Sequence, residues 1–100
     1  MRFADFLRAA DGTLVAGVSL VERTLTRIPG LMQMQLIQES AATVQVNRVK
    51  SPEYTPATDR ELIDELRRSL GASMSIVIKD VPGLDQEANG KYRFSICKLR

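Results

Sequence analysis

Histidine and tryptophan are both absent from this chain. Without imidazole there is no histidine metal ligand, no Ser-His triad and no imidazole general base. The single cysteine, Cys97, cannot close an internal disulfide, and its place in an apolar terminal strand predicts a buried, reduced thiol. Long apolar runs are missing as well. The longest, Leu14 to Val21, is interrupted by Gly17 and Ser19 and is too short to span a bilayer. Arg2 is followed by Asp5 and Asp11 and by no apolar signal core, so the expected compartment is cytoplasmic, of bacterial type. Nor is charge of one sign in large excess. Fourteen basic residues against 12 acidic ones leave +2, too little to imply nucleic acid or an anionic membrane as partner. No internal repeat or low-complexity segment is visible.

What is present suffices for one compact domain, residues 1–100, because 44% of the 100 residues are apolar. Phe3 to Leu7 and Leu14 to Val18 flank Ala10-Asp11-Gly12-Thr13, and Asp-Gly between apolar segments signals a β-hairpin. Ser19-Leu20-Val21-Glu22 matches a capping box and predicts a helix that ends at Pro29-Gly30. Its apolar face carries Val21, Leu25 and Ile28, while Glu22, Arg23 and Arg27 face water. Leu31 to Gln38 alternates as a half-buried strand, with Met32, Met34 and Leu36 on one side and Gln33 and Gln35 on the other. Ala42 to Lys50 is its partner across a turn at Glu39-Ser40-Ala41, and a change of phase at Val49 marks either a bulge or the strand's end.

Two prolines make Ser51 to Pro56 a loop. Thr58-Asp59-Arg60-Glu61 is a second capping box, and Leu62, Leu66 and Leu70, with Ile63, form the stripe of a helix closed by Gly71. Met74 to Val81 is a further strand, Gly83 to Gly90 a polar loop, and Tyr92, Phe94 and Ile96 alternate in a short terminal strand. The order predicts an α+β fold: a small two-layer sandwich with a ferredoxin-like core of antiparallel strands, two helices on one face and an N-terminal β-hairpin. Met32, Met34 and Met74 read as core filler. Asp80, Asp85 and Glu87 lack the spacing of a calcium loop and read as solvated loop charges, so no metal site is expected.

Arg2-Phe3-Ala4-Asp5 at one end and Gly90-Lys91-Tyr92-Arg93 near the other carry a family resemblance. The pair is similar to the bounds of the C-terminal lid domain of adenylate-forming ligases, in the branch of phenylacetate-CoA ligases and capsule-biosynthesis adenylate-forming proteins. Such a lid begins at a Gly-Arg-x-x-Asp hinge and ends in a Gly-Lys-x-Arg-like loop. The resemblance covers nearly the whole chain. It implies that Lys91 is the catalytic lysine, brought to the α-phosphate and the substrate carboxylate by rotation of the lid. A lysine suits that step because carboxylate attack on the α-phosphorus builds negative charge that a mobile ammonium stabilises. Gly90 gives the loop its backbone freedom.

Arg2 stands at the hinge arginine near the nucleotide ribose, and Asp5 at the aspartate of the same motif. Ala4 occupies the pivot position, where relatives carry a carboxylate or lysine. The hairpin turn at Asp11 and Gly12 would lie beside the acceptor-thiol tunnel, one residue longer than the common pattern. Arg93 either steadies the Lys91 loop or is an outward strand residue.

The resemblance further implies that the intact enzyme uses ATP and magnesium, activates a carboxylic acid and passes the acyl group to a thiol such as coenzyme A, or to an amine. This chain has no phosphate loop, adenine pocket or acyl cavity, all of which the family places in the large N-terminal AMP-binding domain. That domain is therefore the expected partner, in cis or trans, and the lid alone is expected to be inactive with no cofactor of its own. Met1 stands where the family has the hinge glycine, which reads as an excised domain in preference to a separately encoded lid. The alternative is a stand-alone ferredoxin-like module for ligand sensing or oligomerisation, such as a homodimer. An RNA-recognition fold is disfavoured because the central strands carry Met, Val, Gln and Asn where base stacking needs aromatic rings.

Overall fold

Asp11 and Gly12 reverse the chain as expected. In the computed structural model, which describes residues 5–84 and 93–99, β1 (Phe6–Arg8) pairs antiparallel with β2 (Leu14–Ala16) around them. Thr13 N–H donates to Asp11 Oδ1 at 2.9 Å, an Asx-type bond that fixes the turn. α1 (Gly17–Arg27) follows β2 directly, with Ala16 at the N-cap and no side-chain cap. The expected Ser19 box is therefore not formed, and Ser19 lies exposed in the first turn. Gly17 is required there by close approach. A Cβ on it would stand 1.8 Å from Ser95 Oγ and 2.6 Å from the Asp5 carbonyl oxygen.

β3 (Leu31–Ser40) and β4 (Thr43–Lys50) form an antiparallel hairpin. Alternation buries Met34, Leu36 and Gln38 with Val44, Val46 and Arg48 on the inner face, and leaves Gln33, Gln35, Ile37, Gln45 and Asn47 half-buried on the outer one. The irregularity read at Val49 is a register shift on the facing strand between Leu31 and Gln33. It turns Met32 out to 57% exposure, whereas Met34 and Met74 are core residues as expected. Gln38, fully buried, ties this sheet to the hairpin by accepting from Arg8 N–H at 2.7 Å and donating to the Arg8 carbonyl at 2.8 Å.

α2 (Pro56–Leu70) begins earlier than the sequence pattern suggests. Its box is Thr55 with Thr58, whose Oγ1 accepts from Thr55 N–H at 3.2 Å, and Pro56 opens the helix where its missing N–H costs nothing. β5 (Ser75–Asp80) then joins β4, and β6 (Ser95–Cys97) joins β3, giving the order β5-β4-β3-β6. Both outer pairings are parallel, a departure from the expected antiparallel core. For β5 the cause is the crossover: α2 carries the chain back along the sheet, so β5 runs in the direction of β4.

The two-layer α+β class holds. Leu20 and Val21 of α1 and Leu62, Leu66 and Leu70 of α2 share one buried cluster with Met34, Leu36, Val44 and Val46, and Leu7 of the hairpin closes it. The registers place the start of β3, the end of β4, the end of β5 and the start of β6 at one end of the sheet. The connection from β5 to β6, which includes Lys91, thus leaves and returns at that end. No helix among the described residues is long and apolar enough to cross a membrane.

Candidate functional site

Asp5, the first described residue, is bound at three points to the last strand and at a fourth to Arg93 just before it. Its N–H donates to the Ser95 carbonyl at 3.1 Å, and its own carbonyl accepts from Ser95 Oγ at 2.6 Å. Its carboxylate Oδ2 accepts from Cys97 N–H at 2.9 Å and meets the Arg93 guanidinium at 2.9 Å. Arg93 and Asp5 are 33% and 21% exposed, so the pair is partly shielded from water and screened less than a surface pair. The described residues of the two terminal motifs, Asp5 and Arg93, therefore meet. Arg93, open between two readings in the sequence, is placed against Asp5, and the Asp5 carboxylate is engaged within the domain.

A second charged cluster lies where β5 ends. Arg48 fills an inward slot of β4 and is only 2% exposed. Its Nε donates to Asp80 Oδ1 at 2.8 Å and its NH1 to Asp59 Oδ1, while the Tyr54 ring lies 5.0 Å away and Tyr54 Oη donates to Asp59 Oδ2 at 2.9 Å. Lys50 adds a 3.4 Å pair to Asp80 and sits 4.2 Å from the same ring. Burial works against the Arg48 charge, but the hydrogen bonds it donates to Asp80 and Asp59 outweigh it and raise its pKa. The same bonds from Arg48 hold both carboxyls below the usual value of 3.8. Asp80 is thus an ion-pair residue and not the solvated loop charge expected. The signal for this knot was present in the alternation itself, since Val44, Val46 and Arg48 share one face.

The hairpin turn is at the opposite end of β1 from Asp5. The Thr13 N–H lowers the Asp11 pKa, and Gly12 has φ +91°. Beside the turn an open cleft of about 420 Å³ is bounded by Ala10, Asp11, Arg68, Ser69 and Ser73. Of the expected site residues, Asp5, Asp11 and Gly12 are therefore placed, and the last two are not brought together with the first. Lys91, Gly90, Arg2 and Ala4 lie outside the described residues, as do Asp85 and Glu87. Among the described residues no group of three or more acidic or cysteine side chains converges on a point where a metal ion would sit.

The profile described as the CapK C-terminal domain matches residues 7–98. Among solved structures, an acyl-CoA synthetase from Brucella canis superposes with a TM-score of 0.66 at 18% identity, over 89% of this chain and 17% of that one. An acetoacetyl-CoA synthetase from Streptomyces lividans superposes with a TM-score of 0.63 at 15% identity, over 82% of this chain and 13% of that one. These identities show a shared fold, and the chain spans only that small part of either synthetase. No curated protein matches. Matched from its first strand to its last, the chain belongs to the CapK C-terminal domain family, in keeping with its resemblance to the C-terminal domain of an adenylate-forming enzyme.

Proposed function

We propose that this chain works as the mobile C-terminal domain of an ATP-dependent, carboxylate-activating ligase and supplies Lys91 to the adenylation step. The observation that carries the reading is the meeting of Asp5 with Arg93 at 2.9 Å. It joins the point where the chain enters the domain to the base of the segment that bears Lys91, two residues before Arg93 in sequence. A rotation about the N-terminal end then moves the lysine's attachment point with it. Closure would bring an ammonium to the charge that develops at the α-phosphorus, where a positioned cation is worth most once water is excluded.

ATP, magnesium and the carboxylic acid belong to the large N-terminal domain in this reading, and coenzyme A is the acceptor suggested by the synthetase-like fold. Magnesium enters with ATP and is assigned to no residue of this chain. Arg2 and Gly90 keep the ribose-side and loop roles, and Asp11 with Gly12 the acceptor side. Asp5, whose carboxylate meets Arg93 and Cys97, positions the domain in this reading.

In the full-length protein, Lys91→Ala should lower adenylate formation by roughly 10²-fold or more, the scale seen when one charge-stabilising donor is removed. Transfer from preformed acyl-adenylate should fall far less. Equal losses in both half-reactions would remove Lys91 from this role.

A further inference from the structure

The outer face of the four-stranded sheet carries a line of side-chain amides that all donate in one direction. Gln45 Nε2 donates to Asn47 Oδ1 at 2.8 Å, Asn47 Nδ2 to Gln35 Oε1 at 3.1 Å, and Gln35 Nε2 to the backbone carbonyl of Arg93 at 2.8 Å. Gln35 and Asn47 are direct cross-strand partners, and all three residues are half-buried. Bonds linked head to tail polarise one another, so the donor that reaches Arg93 is stronger than an isolated glutamine.

The position of the last bond is informative. The β3–β6 ladder pairs Leu36 with Ser95, and the Leu36 N–H takes the Phe94 carbonyl at 2.9 Å. One residue closer to Lys91 is Arg93, ahead of the first register pair at Ser95. There the Gln35 side chain does what a strand N–H would do and captures the Arg93 carbonyl. Residue 93 is thereby held by its backbone from the sheet and by its guanidinium from Asp5. The face also accepts apolar side chains, since Ile37 and Val49 occupy it at comparable burial.

We infer that the Gln45–Asn47–Gln35 amide chain is a positioning device that fixes the backbone of Arg93, and through it the attachment point of Lys91. This rests on the adenylation role proposed for Lys91. The three amides touch no substrate in this assignment and act through the backbone of residue 93.

Gln35→Glu tests it with little change of shape, because it replaces the donor aimed at the Arg93 carbonyl by an acceptor and leaves Oε1 for Asn47. In the full-length protein it should lower kcat for adenylate formation about tenfold to a hundredfold, the effect of an ångström-scale misplacement, with KM for ATP and acid little changed. Hydrogen exchange of residues 93–98, followed by mass spectrometry in the same protein, should accelerate. In a Lys91→Ala background the added substitution should have no further effect on rate, as for two groups acting through one step. Gln35→Asn, whose shorter arm keeps a donor, should recover part of the loss. Unchanged exchange and kcat in Gln35→Glu would overturn the assignment, and so would an equal fold-loss with and without Lys91. A silent Lys91→Ala alone would instead defeat the lysine reading, leaving the exchange result to decide whether the amide chain anchors residue 93.

Discussion

The connection between β5 and β6 leaves the sheet beside the Arg48 cluster and returns beside the Asp5–Arg93 pair, and the two are built on opposite plans. The first buries a guanidinium among residues from β4, α2 and β5, at 2% exposure, and surrounds it with two carboxylates, each nearly half exposed, and a tyrosine ring. The second joins the ends of the chain, with Ser95 and Asp5 ninety positions apart, through a single ion pair and three hydrogen bonds. A buried charge that must stay paired makes a fixed point of the fold. A half-buried pair supported mainly by backbone bonds contributes less stability and sets geometry instead.

The largest effect should come from breaking the first of these. The double substitution Asp59→Asn with Asp80→Asn leaves the buried guanidinium with no counter-charge and should cost about 3–5 kcal/mol in urea unfolding. Arg48→Met should cost clearly less, although it removes the centre of the cluster. It takes the buried charge away, fills the slot with an apolar chain, and leaves carboxylates exposed enough to be solvated. A larger loss for Arg48→Met than for the double carboxylate variant would mean that packing of the arginine stem, and not charge burial, holds this end together.

The Asp5–Arg93 junction is more sensitive to volume than to charge. Gly17→Ala places a methyl 1.8 Å from Ser95 Oγ and 2.6 Å from the Asp5 carbonyl, so the helix, β6 and the N-terminal strand cannot all keep their places. Destabilisation of about 1–3 kcal/mol is expected, the usual cost of overpacking, together with faster hydrogen exchange confined to residues 93–98. Exchange rising equally across β4 and β5 would show that the junction is not a separate unit.

Much of this architecture was legible beforehand, for identifiable reasons. Two periodic helices, the Asp-Gly hairpin and the alternating strands each carry a local signal, and they gave the class and the element order. Outer-strand direction was not legible, because it depends on how the α2 crossover lies over the sheet. The caps were misread where tertiary contact overrode local pattern: Gly17 starts α1 because β6 passes against it, and Thr58 is pinned to the Pro29 carbonyl at 3.1 Å. At the site, Asp5 and Arg93 each stand at the end of a terminal motif, but the sequence leaves Arg93 open between two roles and does not show that the two side chains meet. The amide chain through 35, 45 and 47 is not legible in the sequence, because glutamine and asparagine on an outward strand face look the same whether they meet water or each other.

Acid separates the two clusters by a smaller and subtler effect. Asp59 and Asp80 have pKa values below their ordinary 3.8 in the folded protein, chiefly through hydrogen bonds from Arg48. A carboxyl depressed on folding contributes stability that is fully present above its unfolded pKa and is lost as pH falls through the folded one. The Arg48 cluster therefore supports the fold above about pH 3.8 and weakens below it. In Arg48→Met the main cause of the depression is gone, while Tyr54 still donates to Asp59 and Lys50 still faces Asp80, so part of the shift persists. Asp11, held low by the Thr13 N–H, is depressed in both proteins and cancels. The Tm difference between wild type and Arg48→Met should hence be constant from neutral pH down to about 4 and narrow steadily below it. A difference that stays constant into strong acid would mean that the two carboxylates contribute shape but not charge, and the contrast with the Asp5–Arg93 junction would lose its electrostatic half.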